Sequence, residues 1–164
     1  MIGRPAIFLD RDGVIVRERG EHTWRMEDFE ILPTVADALK AIRAAGKMSL
    51  LITNQSGIGL GLYGHAEVER LHAYLHAHLA QQGAAIDAVY YCPHHPTKGR
   101  CLCRKPGSLL LERAIARYGI DPTGSVMIGD RDRDVEAAEA VRVRGILVEA
   151  NAPLMDVLKN QALI

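Results

Sequence analysis

Four short polar clusters in this chain have the makings of a phosphoryl-transfer site. The first, Asp10-Arg11-Asp12-Gly13, sets two carboxylates two residues apart, directly after the apolar run Ala6-Ile7-Phe8-Leu9. Moving a phosphoryl group takes a nucleophile, a proton donor for the leaving oxygen and a hard cation to neutralise phosphate charge. Two carboxylates and the backbone between them can supply nucleophile, donor and part of an oxygen-ligand Mg²⁺ site. Gly13 permits the sharp turn that such crowding demands. Thr53-Asn54 ends another apolar run with a hydroxyl and an amide, both suited to phosphate oxygens. Arg104-Lys105-Pro106 brings two cations: a lysine serves as a compact counter-charge, and an arginine grips a phosphate in bidentate fashion. The run Gly129-Asp130-Arg131-Asp132-Arg133-Asp134 follows a further apolar stretch, with Asp130 placed to complete a magnesium shell and Asp134 close enough to assist. Singly, each cluster is ambiguous. A lone Asp-x-Asp is usually a solvated turn, Thr and Asn favour turns, and acidic residues favour helix N-termini.

The elements that must position these clusters can be read from the hydrophobic pattern. Apolar runs predict strands near 6–9, 48–53, 86–91, 126–128 and 146–148. Val35, Ala38, Leu39 and Ile42 recur at helical spacing up to a stop at Gly46, and Val68, Leu71, Leu75 and Leu79 mark a longer helix ending near Gly83. Further helices are expected over 108–118 and 134–141. Residues 14–33 read as irregular and charged, with Trp24 and Phe29 as isolated aromatics. His72, His76 and His78 read as solvated surface histidines, and Met155 to Leu163 as a cap on a sheet edge or an assembly element.

Strand and helix alternate, and the strands are continuous apolar runs rather than alternating ones. That pattern predicts the α/β class, as a three-layer doubly wound parallel sheet with helices on both faces. In such folds ligands bind beyond the carboxyl ends of the strands, which is where every polar cluster falls.

At 164 residues the chain fits one domain spanning 1–164. Lys plus Arg and Asp plus Glu each number 20, so no global basic field exists to recruit nucleic acid or an anionic membrane. No apolar run approaches the roughly 20 residues needed to span a bilayer, and Met1 to Pro5 has no apolar signal-peptide core. Three cysteines, an odd number with two of them in Cys101-Leu102-Cys103, do not suit a secreted disulfide framework. Cytoplasm is the expected compartment.

The order of parts, Asp-x-Asp-Gly, then strand-Thr-Asn, then Lys-Pro, then Gly-Asp-x-x-x-Asp, resembles the haloacid dehalogenase-like phosphatase superfamily from Ala6 to about Val148. The resemblance implies Asp10 as nucleophile and Asp12 as general acid, later the base that activates water. Thr53, with Asn54 beside it, and Lys105 would steady the phosphoryl group. Mg²⁺ would be held by the side chains of Asp10 and Asp130 and by the backbone carbonyl of Asp12. No stretch is long enough for a separate cap domain, so loops at 14–33, 55–64 and 92–103 must cover the site, and a small phosphorylated metabolite is the natural substrate.

Cys92-Pro93-His94-His95-Pro96 and Cys101-Leu102-Cys103 gather three thiols and two imidazoles within twelve residues. Three cysteines and one histidine make a closed tetrahedral Zn²⁺ site, which fits a structural role. Cys101 and Cys103 are too close in sequence for an unstrained disulfide. The loop resembles that of the branch holding D-glycero-D-manno-heptose 1,7-bisphosphate phosphatases and histidinol-phosphate phosphatases. That resemblance implies Cys92, His94, Cys101 and Cys103 as the zinc ligands and His95 as a bystander.

Within the branch, Tyr90 to Pro96 and Thr53 to Ile58 resemble the heptose-bisphosphate enzymes more closely. Arg104 would then hold the phosphate that is not cleaved, with Arg131 as a second contact. The short spacing from His94 to Cys101 and the run Ile128-Gly129-Asp130-Arg131 lean towards histidinol phosphate, and Gly59-Leu60-Gly61-Leu62 lacks a basic residue that the heptose enzymes tend to carry. The heptose bisphosphate is the favoured expectation. A zinc-stabilised binding module without catalysis is the rival of a different class, and the complete set Asp10, Asp12, Thr53, Lys105 and Asp130 argues against it. A phosphomutase would need a cap to exclude water.

Overall fold

A computed structural model describes residues 3–164. Five strands, β1 (Ala6–Leu9), β2 (Met48–Asn54), β3 (Ala88–Cys92), β4 (Val126–Gly129) and β5 (Arg144–Leu147), form one parallel sheet in the order β3-β2-β1-β4-β5. Between them run α1 (Val35–Ala44), α2 (His65–Gln81), α3 (Leu109–Tyr118) and α4 (Asp132–Glu139), and α5 (Leu154–Asn160) closes the chain. The two central strands are buried throughout, which is why they read as unbroken apolar runs.

Each sheet face has its own core. Ile7, Leu9, Leu51 and Ile128 pack with apolar residues of α1, α2 and α5, while Phe8, Leu50, Ile52 and Met127 pack with those of α3 and α4. The result is the three-layer, doubly wound sheet expected from the alternation. The segment 154–160 is a helix whose Leu154 and Leu158 join the first core beside α1, so it covers a sheet face rather than an edge.

The winding reverses at β1. From there the chain moves outward through β2 to β3, then returns to lay β4 on the other side. Such a switch point opens a crevice at the carboxyl ends of the central strands. Asp10 follows β1, its backbone N–H donating to Ile128 O at 3.0 Å, and Asp130 follows β4.

The segment 14–33 holds no strand or α-helix, as expected, but it is anchored rather than loose. Val16 bridges Ile31 in antiparallel fashion, and Arg17 N–H and Leu32 N–H donate to Glu30 O and Ile15 O at 2.9 Å each. Val14, Ile15, Val16, Phe29 and Leu32 are buried in the first core. Trp24 stacks on Tyr63, with ring centroids 6.1 Å apart. The charges of this segment had masked a short apolar flap that anchors one wall of the crevice.

Candidate active site

Asp10 is mostly buried, and both of its side-chain hydrogen bonds fall on Oδ1, from Arg11 N–H at 2.9 Å and from Lys105 Nζ at 3.0 Å. Lys105 is almost wholly buried. It also donates to Ile52 O at 2.7 Å and stands 2.6 Å from Asp134 Oδ1. Burial alone would push its amine down, but the carboxylates of Asp10 and Asp134 outweigh that and hold its pKa above the ordinary value. One permanently charged ammonium therefore sits among three carboxylates, those of Asp10, Asp130 and Asp134, whose oxygens lie within 4.8 Å of one another.

That ratio leaves uncompensated negative charge. Burial, then the charges of Asp10 and Asp134, push Asp130 up to about 7, and its buried Oδ2 has no hydrogen-bond partner. A carboxyl in this state takes up either a proton or a cation. Three hard oxygen donors around one point suit Mg²⁺. Gly13 makes the approach possible: its φ is +95°, and a Cβ there would run into the Asp130 carboxylate.

Asp134 is expected in a supporting place beside the magnesium shell. It lies in the first turn of α4, completely buried, where its Oδ2 accepts the Arg131 N–H at 3.1 Å. It thus caps a helix and meets Lys105 at once.

Asp12 stands apart from the carboxylate trio. Its side chain turns to Arg11 and to Gln55, whose Nε2 donates to Asp12 Oδ2 at 3.2 Å and to Thr53 Oγ1 at 3.0 Å. Thr53 is buried at the end of β2 beside the trio. Asn54 was expected at the phosphate, but both ends of its amide are committed to the Lys105 backbone, Nδ2 donating to O at 3.1 Å and Oδ1 accepting from N–H at 3.0 Å. It splices the loop carrying Lys105 onto the sheet.

The cleft above these groups has a volume of about 330 Å³, and Arg104, Arg131 and Arg133 line it together with Glu18 and His22 of the flap. Arg104 is half-buried with its Nη1 unpartnered, and burial, then the neighbouring Arg133 charge, lower its pKa. Arg131 is exposed, with Nε 3.8 Å from Asp130 Oδ2.

Cys92, His94, Cys101 and Cys103 form the second cluster, each offering a donor atom within 4.8 Å of the others. Cys92 Sγ lies 3.8 Å from Cys101 Sγ and 3.4 Å from His94 Nδ1, close to the roughly 3.8 and 3.5 Å edges of a tetrahedron built on ordinary Zn–S and Zn–N bonds. Cys103 Sγ sits closer than those edges, 3.0 Å from Cys92 Sγ and 3.2 Å from His94 Nδ1, and the sulfur pair is still too far apart for a disulfide. Burial, then the adjoining Cys103 thiol, push the Cys92 thiol well up in the absence of a cation. The donor set fits zinc. His95 turns away, its Nδ1 bonding with Thr97 Oγ1 at 2.7 Å.

Three residues at the site escaped the sequence reading. Arg11 and Gln55 are fully buried against Asp12, and His72, expected on the surface, is buried with its Nε2 3.4 Å from Arg11 Nη1. His76 is exposed as expected. Gln55, two residues beyond Thr53 at a strand end, carried the only local signal of the three.

A doubly wound sheet without a separate cap, with acidic strand ends converging on one buried lysine, defines a haloacid dehalogenase-like phosphatase. The family model for haloacid dehalogenase-like hydrolases matches residues 102–158. The D-glycero-beta-D-manno-heptose-1,7-bisphosphate 7-phosphatase of Haemophilus influenzae is 38% identical over 155 residues, covering 91% of this chain and 84% of that one. That of Escherichia coli is 36% identical over 165 residues, covering 96% and 86%. The crystal structure of the D,D-heptose 1,7-bisphosphate phosphatase from B. bronchiseptica, complexed with magnesium and phosphate, superposes with a TM-score of 0.84 at 33% identity, covering 95% of this chain and 86% of that one. The chain belongs to the heptose-bisphosphate phosphatase branch of the haloacid dehalogenase-like superfamily.

Proposed function

We propose that residues 1–164 form one phosphatase domain that removes the 7-phosphate of D-glycero-D-manno-heptose 1,7-bisphosphate through an aspartyl-phosphate on Asp10. The observation that carries the chemistry is the asymmetry of Asp10: Lys105 and a backbone N–H hold Oδ1, which leaves Oδ2 for attack. The substrate rests on the names of the relatives above and on the cleft's arginines.

In this reading Asp10 Oδ2 bonds to phosphorus as the bond from phosphorus to the sugar oxygen breaks. Asp12 gives its proton to that leaving oxygen. Water then attacks phosphorus, Asp12 takes its proton back from the water, and the Asp10–phosphorus bond breaks to release inorganic phosphate. Lys105 and the Thr53 hydroxyl steady the phosphoryl oxygens. Mg²⁺, held by the Asp10 and Asp130 carboxylates and the Asp12 backbone carbonyl, would neutralise charge on the transferring group. Asp134 keeps Lys105 in place. Arg104 and Arg131 meet the phosphate that is retained.

Zn²⁺ on Cys92, His94, Cys101 and Cys103 would fix the loop that delivers Arg104. Three free thiols suit a reducing compartment, so the proposed location is the cytoplasm. No helix among the described residues is long and apolar enough to cross a membrane. The balanced charge gives no global basic field to recruit nucleic acid, and the cleft's size and arginines suit a small phosphorylated metabolite as the partner.

The test is phosphate release with Mg²⁺ from both anomers of the heptose bisphosphate, histidinol phosphate and simple sugar phosphates. Preference for a heptose bisphosphate is expected. Preference for histidinol phosphate, to which the short loop before Cys101 is suited, would overturn the substrate and keep the chemistry. No release from any of them would overturn both.

A further inference from the structure

Arg11 and Gln55 have no part in the phosphoryl chemistry just described, yet both are fully buried against one of its groups. The Arg11 guanidinium is enclosed on every side. Its Nε donates to Asp12 Oδ1 and Oδ2 at 3.2 and 3.1 Å. Its Nη2 donates to Asp12 Oδ1 at 3.1 Å and to Thr23 O at 2.9 Å. Its carbon lies 5.6 Å from the centre of the Phe29 ring. The remaining nitrogen, Nη1, faces His72 Nε2. Burial, then the Arg11 charge, pull His72 down to about 3, so this imidazole is neutral and its Nε2 is an acceptor, with the proton on Nδ1.

Gln55 holds Asp12 from the other side. Its amide orientation is fixed at both ends, because Nε2 donates to Asp12 and Thr53 while Oε1 accepts from Tyr63 Oη at 2.9 Å. Tyr63 is itself fixed by stacking on Trp24 and by close seating against Gly57, where a Cβ would enter its ring. Four elements thus converge on one carboxylate: the turn after β1, the end of β2 with its following turn, the flap and α2. The side chain they hold is still 23% exposed to the cleft.

Such effort is out of proportion to stability. A buried guanidinium is costly to desolvate, and a single ion pair seldom repays it. Proton transfer, in contrast, depends on the donor lying within hydrogen-bond reach of the leaving oxygen at a workable angle.

We propose that Arg11 and Gln55, backed by His72 and Tyr63, are positioning residues that fix the Asp12 carboxylate for proton transfer at the cleft. The proposal rests on the aspartyl-phosphate reading, in which Asp12 protonates the leaving oxygen. It makes the sensitivity to leaving group a direct readout. An alkyl phosphate such as a sugar phosphate expels a strongly basic oxygen and needs the proton. An aryl phosphate such as p-nitrophenyl phosphate expels a weakly basic one and hardly does. Since kcat/KM is set by steps up to the first bond cleavage, it isolates that half of the cycle.

The experiment compares kcat/KM for both ester types, with Mg²⁺ and zinc-replete protein, in wild type, Gln55→Met, Tyr63→Phe, Arg11→Met and Arg11→Lys. General acid–base catalysis contributes about 10²–10⁴-fold. Gln55→Met is expected to lose about tenfold or more of that on the alkyl ester and less than about threefold on the aryl ester. Tyr63→Phe keeps the ring and frees only the Gln55 carbonyl, so a smaller loss with the same selectivity is expected. Arg11→Lys should recover part of what Arg11→Met loses on the alkyl ester. Equal losses on both esters, or none in Gln55→Met and Tyr63→Phe, would overturn the positioning role even if the Arg11 variants fail to fold. Phosphate release from neither ester by wild type would overturn the phosphatase reading instead, and the positioning role with it.

Discussion

The two clusters of ligating side chains are held by different means. The carboxylate centre is fixed by the sheet: Asp10 and Asp130 leave adjacent parallel strands one register step apart, and Lys105 ties Asp10 to Ile52 O on β2. The thiol cluster begins on the sheet with buried Cys92 at the end of β3, but its other members ride on a loop, with Cys101 half-buried and His94 exposed. Charges set by strand register stay in place without a cation, at the cost of crowding. Ligands on a loop depend on the cation for their arrangement. The two regions meet at Arg104-Lys105, and there they part again. Asn54 staples the Lys105 backbone to β2, while Arg104, one residue nearer the cysteines, has no such staple.

The largest expected effect lies in the first region. Asp10→Asn removes the proposed nucleophile with little change in volume, and turnover should fall by about 10⁴-fold or more while the fold survives. Steady-state phosphate release and a thermal melt on the same sample check this. Turnover near wild type would sink the covalent route.

Lys105→Met probes the crowding itself. Removing the one buried ammonium leaves Asp10 and Asp134 without their ion-pair partner and only the exposed Arg131 near Asp130, and breaking a buried pair in this way costs about 3–5 kcal/mol. Denaturant unfolding should show that loss, and millimolar Mg²⁺ should recover more stability in the variant than in wild type. A variant as stable as wild type without Mg²⁺ would mean that the carboxylates are not held together as described.

How much of this contrast was legible in the chain depends on whether a residue's setting is local. Ala6 to Leu9, Met48 to Thr53 and Val126 to Ile128 declared a buried parallel sheet because both of their faces are covered, and the acidic clusters were found by lying just past such runs. The thiol and imidazole cluster was legible through donor chemistry and close spacing, and the choice of His94 over His95 through the family resemblance. Arg11 and His72 were not. They lie 61 residues apart and are buried only because α2 packs over the turn after β1. Helical spacing cannot distinguish a histidine facing water from one facing a guanidinium. Asp134 was legible only as an assisting acid within a charge run, because the register of α4 decides which acid turns inward. The flap at 14–33 was expected over the site, but its anchoring in the core was missed because its charged residues outnumber the apolar ones that hold it.

Zinc removal tests the point where the two regions part. If the loop is ordered by its ligands, a zinc chelator or Cys103→Ser should free Arg104 while the Asn54 staple keeps Lys105 at the carboxylates. KM for a bisphosphate is then expected to rise about tenfold, with kcat changed by less than about threefold. A monophosphate, which has no second phosphate for Arg104, should be spared the KM effect. An equal fall in kcat for both substrates would show that zinc supports the whole site rather than its distal end.

The smallest effect sharpens the comparison from the sheet side, where a neutral histidine backs the catalytic turn. Burial, then the Arg11 charge, hold His72 down at about 3 against an ordinary value near 6.5. Below about pH 6.5 the unfolded chain takes up a proton on this side chain and the folded chain does not. The stability this residue contributes is therefore complete above that pH and is lost progressively as pH falls towards 3. Between pH 7 and pH 5 the loss from this one group is about 2 kcal/mol. His72→Gln keeps an acceptor for Arg11 and cannot titrate. At pH 7 it should cost about 1 kcal/mol or less, and its stability should decline less steeply on acidification. The comparison is best made on metal-free protein, because acid would otherwise also weaken any metal binding. Parallel acid profiles for the two proteins would mean that His72 is protonated in the folded state, and the contact with Arg11 would then be a repulsion rather than a support.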